Sequence, residues 1–234
     1  MVEEQMEKRV RSTPGKHNAV FPLFLNNTMR GTSFSFDSCR VLSARHNVFP
    51  PNVIGSLSQE DKIHILVGTE QIEMVVESTP NPAVGKTLAD CDDWIILRRV
   101  DNYPFRTTII VKPTEPNVLI ESRPHVTIYH FPSDLQTTIN IPHNVVSSSN
   151  RIIGCFQGKV NCNDLSNISG GSCGGPYVDN VSGGAFGLHI EGVNSYGGAG
   201  YKLLVEAMSL VPVGLHFDTS STLIAELKAM KVLI

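Results

Sequence analysis

Cys173 stands in the segment SGGSCGGP, residues 169–176, with four glycines around it. Glycine adds no side chain to a core and costs backbone entropy, so packing alone does not account for this composition. One account is a backbone that turns sharply and approaches a substrate closely. The amides of Gly171 and Cys173 then point into one small space and hold a developing oxyanion. The other is a glycine-rich hairpin around an inert, buried thiol. A thiol is largely protonated at neutral pH, so a nucleophilic Cys173 needs a base. Of the eight histidines (17, 46, 64, 125, 130, 143, 189 and 216), His46 follows the β-like run CRVLS after only Ala44 and Arg45. That puts it at a strand's end, with small residues before it and room to face a cleft. The base in turn needs an orienting group on its other nitrogen. Asp90, Asp92 and Asp93 cluster in DCDDWIIL. Asp93 borders the apolar run and is the best placed for burial; Asp92 and Asp90 are the alternatives, and a solvated acidic turn is the reading in which none takes part.

The elements that would position these groups read as all-β. Short runs rich in Val, Ile, Phe, Leu and Thr recur between Gly, Pro, Asn and Ser clusters, the pattern of a sandwich or barrel. Strands are expected at 19–25, 40–43, 62–67, 72–76, 94–98 and 107–111, then at 125–129, 151–156, 176–178, 185–190 and 201–205. Helical periodicity is confined to the ends: a short polar helix over 3–11, and an amphipathic one over 222–230 behind a Ser-Ser capping pair. The proline-bearing stretch KPTEPNVLIESRP, residues 112–124, divides the strands into two comparable groups. The expected organisation is an N-terminal barrel over 1–112 carrying His46 and Asp93, an extended connector over 113–124, and a C-terminal barrel over 125–234 carrying Cys173.

Composition narrows the function classes. Hydrophobic residues make up 41% and charged ones 18% of 234 residues, enough apolar surface for a real core. A net charge of -3 gives no general attraction to nucleic acid or anionic membrane. No stretch reaches the ~18 apolar residues of a membrane span, and the start, MVEEQMEKRV, lacks the apolar run of a secretory signal. Five cysteines, at 39, 91, 155, 162 and 173, follow no disulfide-scaffold spacing, so reduced thiols in a cytoplasmic compartment are expected. Cys155 and Cys162 lack a histidine at a matching offset, and neither a metal nor another cofactor is expected.

With His46, Asp93 and Cys173 in that order, the chain resembles the chymotrypsin-like proteases. Within them it looks most like the viral 3C and 3C-like (picornain-type) cysteine proteases. The resemblance rests on SARH around the base, DWIIL around the acid, GGSCGGP around the nucleophile and GLHIEG sixteen residues later. Further echoes are ILRRVDNYPFRTTII before the connector and AGYKLLVEAM after the glycines. It implies two six-stranded antiparallel barrels with a Cys-His-Asp triad in the cleft between them. The implied activity is a cysteine endopeptidase working through a thioester and cutting after Gln or Glu, in processing of a viral polyprotein in host cytoplasm. It implies that His189 lines the pocket for the residue before the cut, with Ile190 and Gly192 running beside the substrate. Where many 3C enzymes carry a threonine as a second donor, five residues before the nucleophile, this chain has Ile168, and Ser169 or Asn167 stands in. Ser172 occupies the position of the aspartate that trypsin-type zymogens pair with a freed N-terminus, so that activation route is not expected. RNA is a further partner implied by the resemblance, held weakly given the acidic balance. Two rival readings remain: a cellular trypsin-like enzyme of the HtrA kind with Cys in place of Ser, and a catalytically silent barrel that binds RNA or a protein.

Overall fold

The computed structural model describes residues 12–14, 16–49, 57–81, 92–122, 125–132, 136–141, 145–148, 151–154, 171–194 and 210–233. Six strands, β2 (Val20–Leu25), β3 (Thr28–Ser35), β4 (Arg40–Ser43), β5 (Ile63–Val67), β6 (Glu70–Ser78) and β7 (Ile95–Arg99), close into a barrel in the order β2-β3-β4-β7-β6-β5. Local chemistry explains its hairpins. Asn26 and Asn27, with φ of 51° and 62°, form the two-residue turn between β2 and β3, where both residues need positive φ. Gly68, at φ 65°, does the same at the β5–β6 turn.

Alternation along β4 and β7 sets two cores. Val41, Ile95 and Leu97 point into the barrel with Phe21, Leu23, Ile63, Ile65 and Met74. Leu42, Trp94 and Ile96 point the other way, into a second cluster with Phe34, Leu188, Leu215 and Phe217. A strand buried on both faces reads as a continuous apolar run, which is what WIIL is.

The remaining strands form a second antiparallel sheet: β1 (Ser12–Pro14), β8 (Val126–His130), β9 (Thr137–Ile141), β10 (Val145–Ser148), β11 (Arg151–Gly154), β12 (Pro176–Asp179), β13 (Ala185–Asn194) and β14 (Leu210–His216). Its order is β1-β9-β8-β12-β13-β14-β11-β10.

The structure departs from the expected elements in several places. Residues 107–111 make no ladder; they run as a strap, with Ile109 N donating to Ser35 O and Ala185 N donating to Ile110 O. Within the connector, expected to be extended, Pro116–Ser122 is a helix, α1; its proline sits at the first helical position, where the missing N–H costs nothing. β3 is absent from the sequence expectations because its buried residues include Thr32, Ser33 and Ser35, which show no apolar alternation. Strands β1, β9, β10 and β14 are likewise absent from the sequence expectations, and the expected helix over 3–11 and strand over 201–205 lie outside the described residues.

Both termini cross the division drawn at residues 112–124. Strand β1 pairs with β9 in the second sheet, although it precedes the first barrel. At the other end α2, Thr222–Ala229, buries Leu223, Ile224 and Leu227 in the cluster that holds Trp94 and Ile96. Ser221 caps it, accepting from Ile224 N at 3.3 Å, so the Ser-Ser pair does mark a helix start. No helix among the described residues is long and apolar enough to cross a membrane.

Candidate active site

Strand β4 ends at Ser43, and a single 3-10 turn, Arg45–Asn47, follows. That turn projects His46 toward Asp93, just ahead of β7, which pairs with β4. Asp93 grips the histidine twice: Oδ1 accepts from the His46 amide at 2.9 Å, and Oδ2 meets Nδ1 at 2.5 Å. Asp93 is only 4% exposed, so its charge is poorly screened and acts strongly on the imidazole. Asp92 turns away and accepts from Thr222 Oγ1 at 2.9 Å; Asp90 lies outside the described residues.

Cys173 also acts on the His46 ring. Burial works to lower the His46 pKa, but hydrogen bonds from Asp93 and Cys173 and the charges of both push it up to about 10. The histidine is thus held in its charged form at neutral pH, the form that pairs with a thiolate. Cys173 is half-buried, and its Sγ also reaches Ile190 O at 3.2 Å.

The loop carrying Cys173 is pressed against the first barrel. Gly174 has φ +99°, and a Cβ there would lie 1.9 Å from Thr32 O. A Cβ on Gly171 would lie 2.3 Å from Phe131 O. The glycines therefore do more than turn the chain or admit a substrate: they let the loop touch the protein's own backbone. The loop's carbonyls take the resulting hydrogen bonds. Gly171 O accepts from Thr32 Oγ1, and Cys173 O accepts from Thr32 N and Asn47 Nδ2, each at 2.8 Å. The amides of Gly171 and Cys173 take part in none of these bonds.

His189 lies on β13, 1% exposed. Its Nδ1 sits 3.4 Å from the Tyr177 hydroxyl, and its Nε2 has no partner among the described residues. Burial, with the nearby His130 and His46, pulls its pKa down to about 3, so the ring is neutral at physiological pH. Strand β12 pairs with β13 only through residues 185–188; His189 then exchanges backbone bonds with Gly174 and Gly175. Past it, Ile190 and Gly192 lie on a stretch of β13 that pairs with β14 on one side and with no strand on the other among the described residues. Ser169, Asn167 and Ile168 fall outside the described residues.

Residues to which the sequence assigned no part in the site complete the surroundings. Ser172 Oγ bonds His130 Nδ1 at 2.8 Å, with both side chains buried, so the residue before Cys173 is anchored by a neutral pair. Burial holds His130 down to about 4. Asn47 adjoins His46 in sequence, a signal that was available. Thr32 and Tyr177 gave none, because their roles depend on pairing between distant strands.

No family profile matches the chain, and no curated protein does. Among solved structures, neuropsin, a serine protease expressed in the limbic system of mouse brain, superposes with a TM-score of 0.59, covering 94% of this chain and 99% of that one at 12% identity. The closed barrel, the second sheet between whose residues and β4 the site is built, and this likeness together establish the chymotrypsin-like two-barrel fold for the chain.

Proposed function

We propose that the chain is a cysteine endopeptidase in which Cys173 is the nucleophile, His46 the acid–base and Asp93 the orienting acid. The observation that carries this reading is His46 held through Nδ1 by the buried Asp93, with Cys173 adding to the pull on the same ring. The Cys173 thiolate attacks the scissile carbonyl carbon and its π electrons move onto oxygen. The Gly171 and Cys173 amides donate to that oxyanion. Its collapse breaks the C–N bond as His46 gives its proton to the leaving amine, leaving a thioester. His46, now neutral, takes a proton from water, which attacks the thioester and frees the acid product and the Cys173 thiolate. These steps use only side chains, backbone amides and water, and the thiol suits a reducing, cytoplasmic compartment.

For specificity we propose that His189 receives the side chain before the cut. A neutral, buried imidazole with a free Nε2 can donate to a glutamine carbonyl once Tyr177 OH donates to Nδ1. A glutamate carboxylate would enter the same place without a positive partner, at a desolvation cost. Glutamine is therefore favoured over glutamate. The stretch from Ile190 to Gly192 supplies the edge to which an extended substrate adds as a strand. This preference, with the GGSCGGP and GLHIEG resemblance, favours an enzyme of the viral 3C kind acting on a polyprotein. The rival reading of a cellular trypsin-like enzyme with Cys for Ser has in its favour that one solved structure of like fold is a serine protease of mouse brain.

A peptide-library digest with wild type and Cys173→Ala tests the proposal. Cleavage after Gln by wild type and none by the variant is expected. Equal cleavage by both removes Cys173 from the mechanism, and enrichment of Lys or Arg before the cut supports the trypsin-like reading. A folded, inert wild type that shifts RNA at moderate salt supports the silent barrel.

A further inference from the structure

Thr32, on β3 of the first barrel and fully buried, bonds both barrels at once. Its hydroxyl donates to Gly171 O at 2.8 Å and accepts from Phe131 N at 2.9 Å. Its amide donates to Cys173 O at 2.8 Å, and its carbonyl accepts from Ser43 Oγ at 2.6 Å. Asn47 Nδ2 adds a second donor to Cys173 O and bonds Ser43 Oγ at 3.0 Å. The carbonyls on both sides of the 172–173 peptide are thereby turned toward β3. With both neighbouring peptide planes held, the 172–173 plane that carries the Cys173 amide has little freedom to rotate. Released, the 171–172 carbonyl gains freedom, and the loop can rotate a peptide so that an oxygen replaces an N–H donor.

We propose that the Thr32 hydroxyl is a positioning group for the oxyanion-binding amides, so that the first barrel contributes a donor-orienting clamp as well as His46 and Asp93. This rests on the cysteine endopeptidase reading. It makes a separable demand: oxyanion stabilisation depends on Thr32, whereas the reactivity of the thiolate, set by His46, does not. Alkylation by iodoacetamide is a displacement at an sp³ carbon and forms no oxyanion, so it separates the two.

The test compares wild type, Thr32→Val and Thr32→Ser, full chain, by peptide hydrolysis, by the rate of Cys173 alkylation, and by the amide resonances of Gly171 and Cys173. Valine keeps the volume and removes the hydroxyl; serine restores it. Loss of one oxyanion donor costs about 10²-fold or more in kcat, and a loss of that order is expected for Thr32→Val. KM and the alkylation rate should stay within about threefold of wild type, with kcat recovered in Thr32→Ser. The two amide resonances are expected single in wild type and Thr32→Ser, and doubled or broadened in Thr32→Val. Wild-type kcat in Thr32→Val, a parallel fall in alkylation, or no rescue by serine overturns the clamp. If wild type itself neither cleaves nor alkylates Cys173 faster than Cys39, the endopeptidase reading fails, and unchanged amide resonances in Thr32→Val then overturn the clamp independently. Should Thr32→Val fail to fold, Thr32→Ala removes the same hydroxyl without adding a methyl and carries the same comparison.

Discussion

At the scale of single residues, the charge state of His46 organises the site. Asp93 and Cys173 both favour the imidazolium and outweigh burial. Removing the Cys173 partner takes away a hydrogen bond and a favourable charge, so Cys173→Ala is expected to lower the His46 pKa from about 10. Imidazole NMR titration of the two proteins measures this; an unchanged midpoint would mean that the thiol does not contact the ring. Replacing His46 by alanine should cost several orders of magnitude in cleavage, as triad deletions do. Asp93→Ala should cost less, because a Cys–His pair can ionise without a third member. Comparing kcat/KM of the two variants decides it, and equal losses would put the whole effect on orientation. His189 carries the opposite charge logic: its burial, with His130 and the positive His46 nearby, keeps it neutral. His189→Ala should therefore abolish the preference for Gln before the cut while leaving iodoacetamide labelling of Cys173 intact.

At the scale of elements, the glycines and the C-terminal helix constrain the loop and the acid from opposite sides. Gly174 combines a left-handed φ with backbone contact to Thr32, so Gly174→Ala meets strain and collision together. The expected outcome is a protein that folds less stably and loses cleavage, read by thermal melt and peptide assay; an active Gly174→Ala would show that the loop can stand off the barrel. Helix α2 reaches the flanks of Asp93 through Thr222, whose Oγ1 accepts from Trp94 Nε1 at 3.0 Å and donates to Asp92. A further bond joins Ser78 Oγ to Glu226. Leu227 is fully buried in the shared cluster, and Leu227→Ala should cost about 2–5 kcal/mol by cavity formation, measurable by urea denaturation. A loss under ~0.5 kcal/mol, the range of ordinary surface substitutions, would mean that α2 is not part of the cooperative core.

At the scale of the whole molecule, buried neutral histidines couple stability to acid. The folded pKa values of His189, about 3, and His130, about 4, lie below the ordinary 6.5. The unfolded chain therefore binds protons that the folded chain refuses. Their contribution is fully present above about pH 6.5 and is lost as pH falls toward those folded values. His46 has the reverse sign: its contribution is present below 6.5 and lost as pH rises through about 10. Urea midpoints should fall steadily from pH 6.5 to 4, and His189→Gln should flatten part of that slope. A wild-type midpoint constant over that range would contradict the buried, neutral state of both rings.

How much of this was legible beforehand follows from what each signal depends on. The glycine setting of Cys173, the strand end before His46, the apolar run after Asp93 and the serine cap of α2 are local patterns, readable within a short window of residues. β3 stayed hidden because its buried hydroxyls look solvent-facing until their partners are known. Thr32 is satisfied by Gly171 and Phe131, more than ninety positions away. The assignment of β1 to the second sheet and of α2 to the cluster shared with Trp94 and Ile96 has the same cause. Strand pairing and helix docking satisfy backbone and apolar groups through non-local contacts, and no window of residues encodes the distant partner. Tertiary structure alone decided which aspartate meets His46, why the glycines around Cys173 are needed, and that two barrels must close on each other before the site exists.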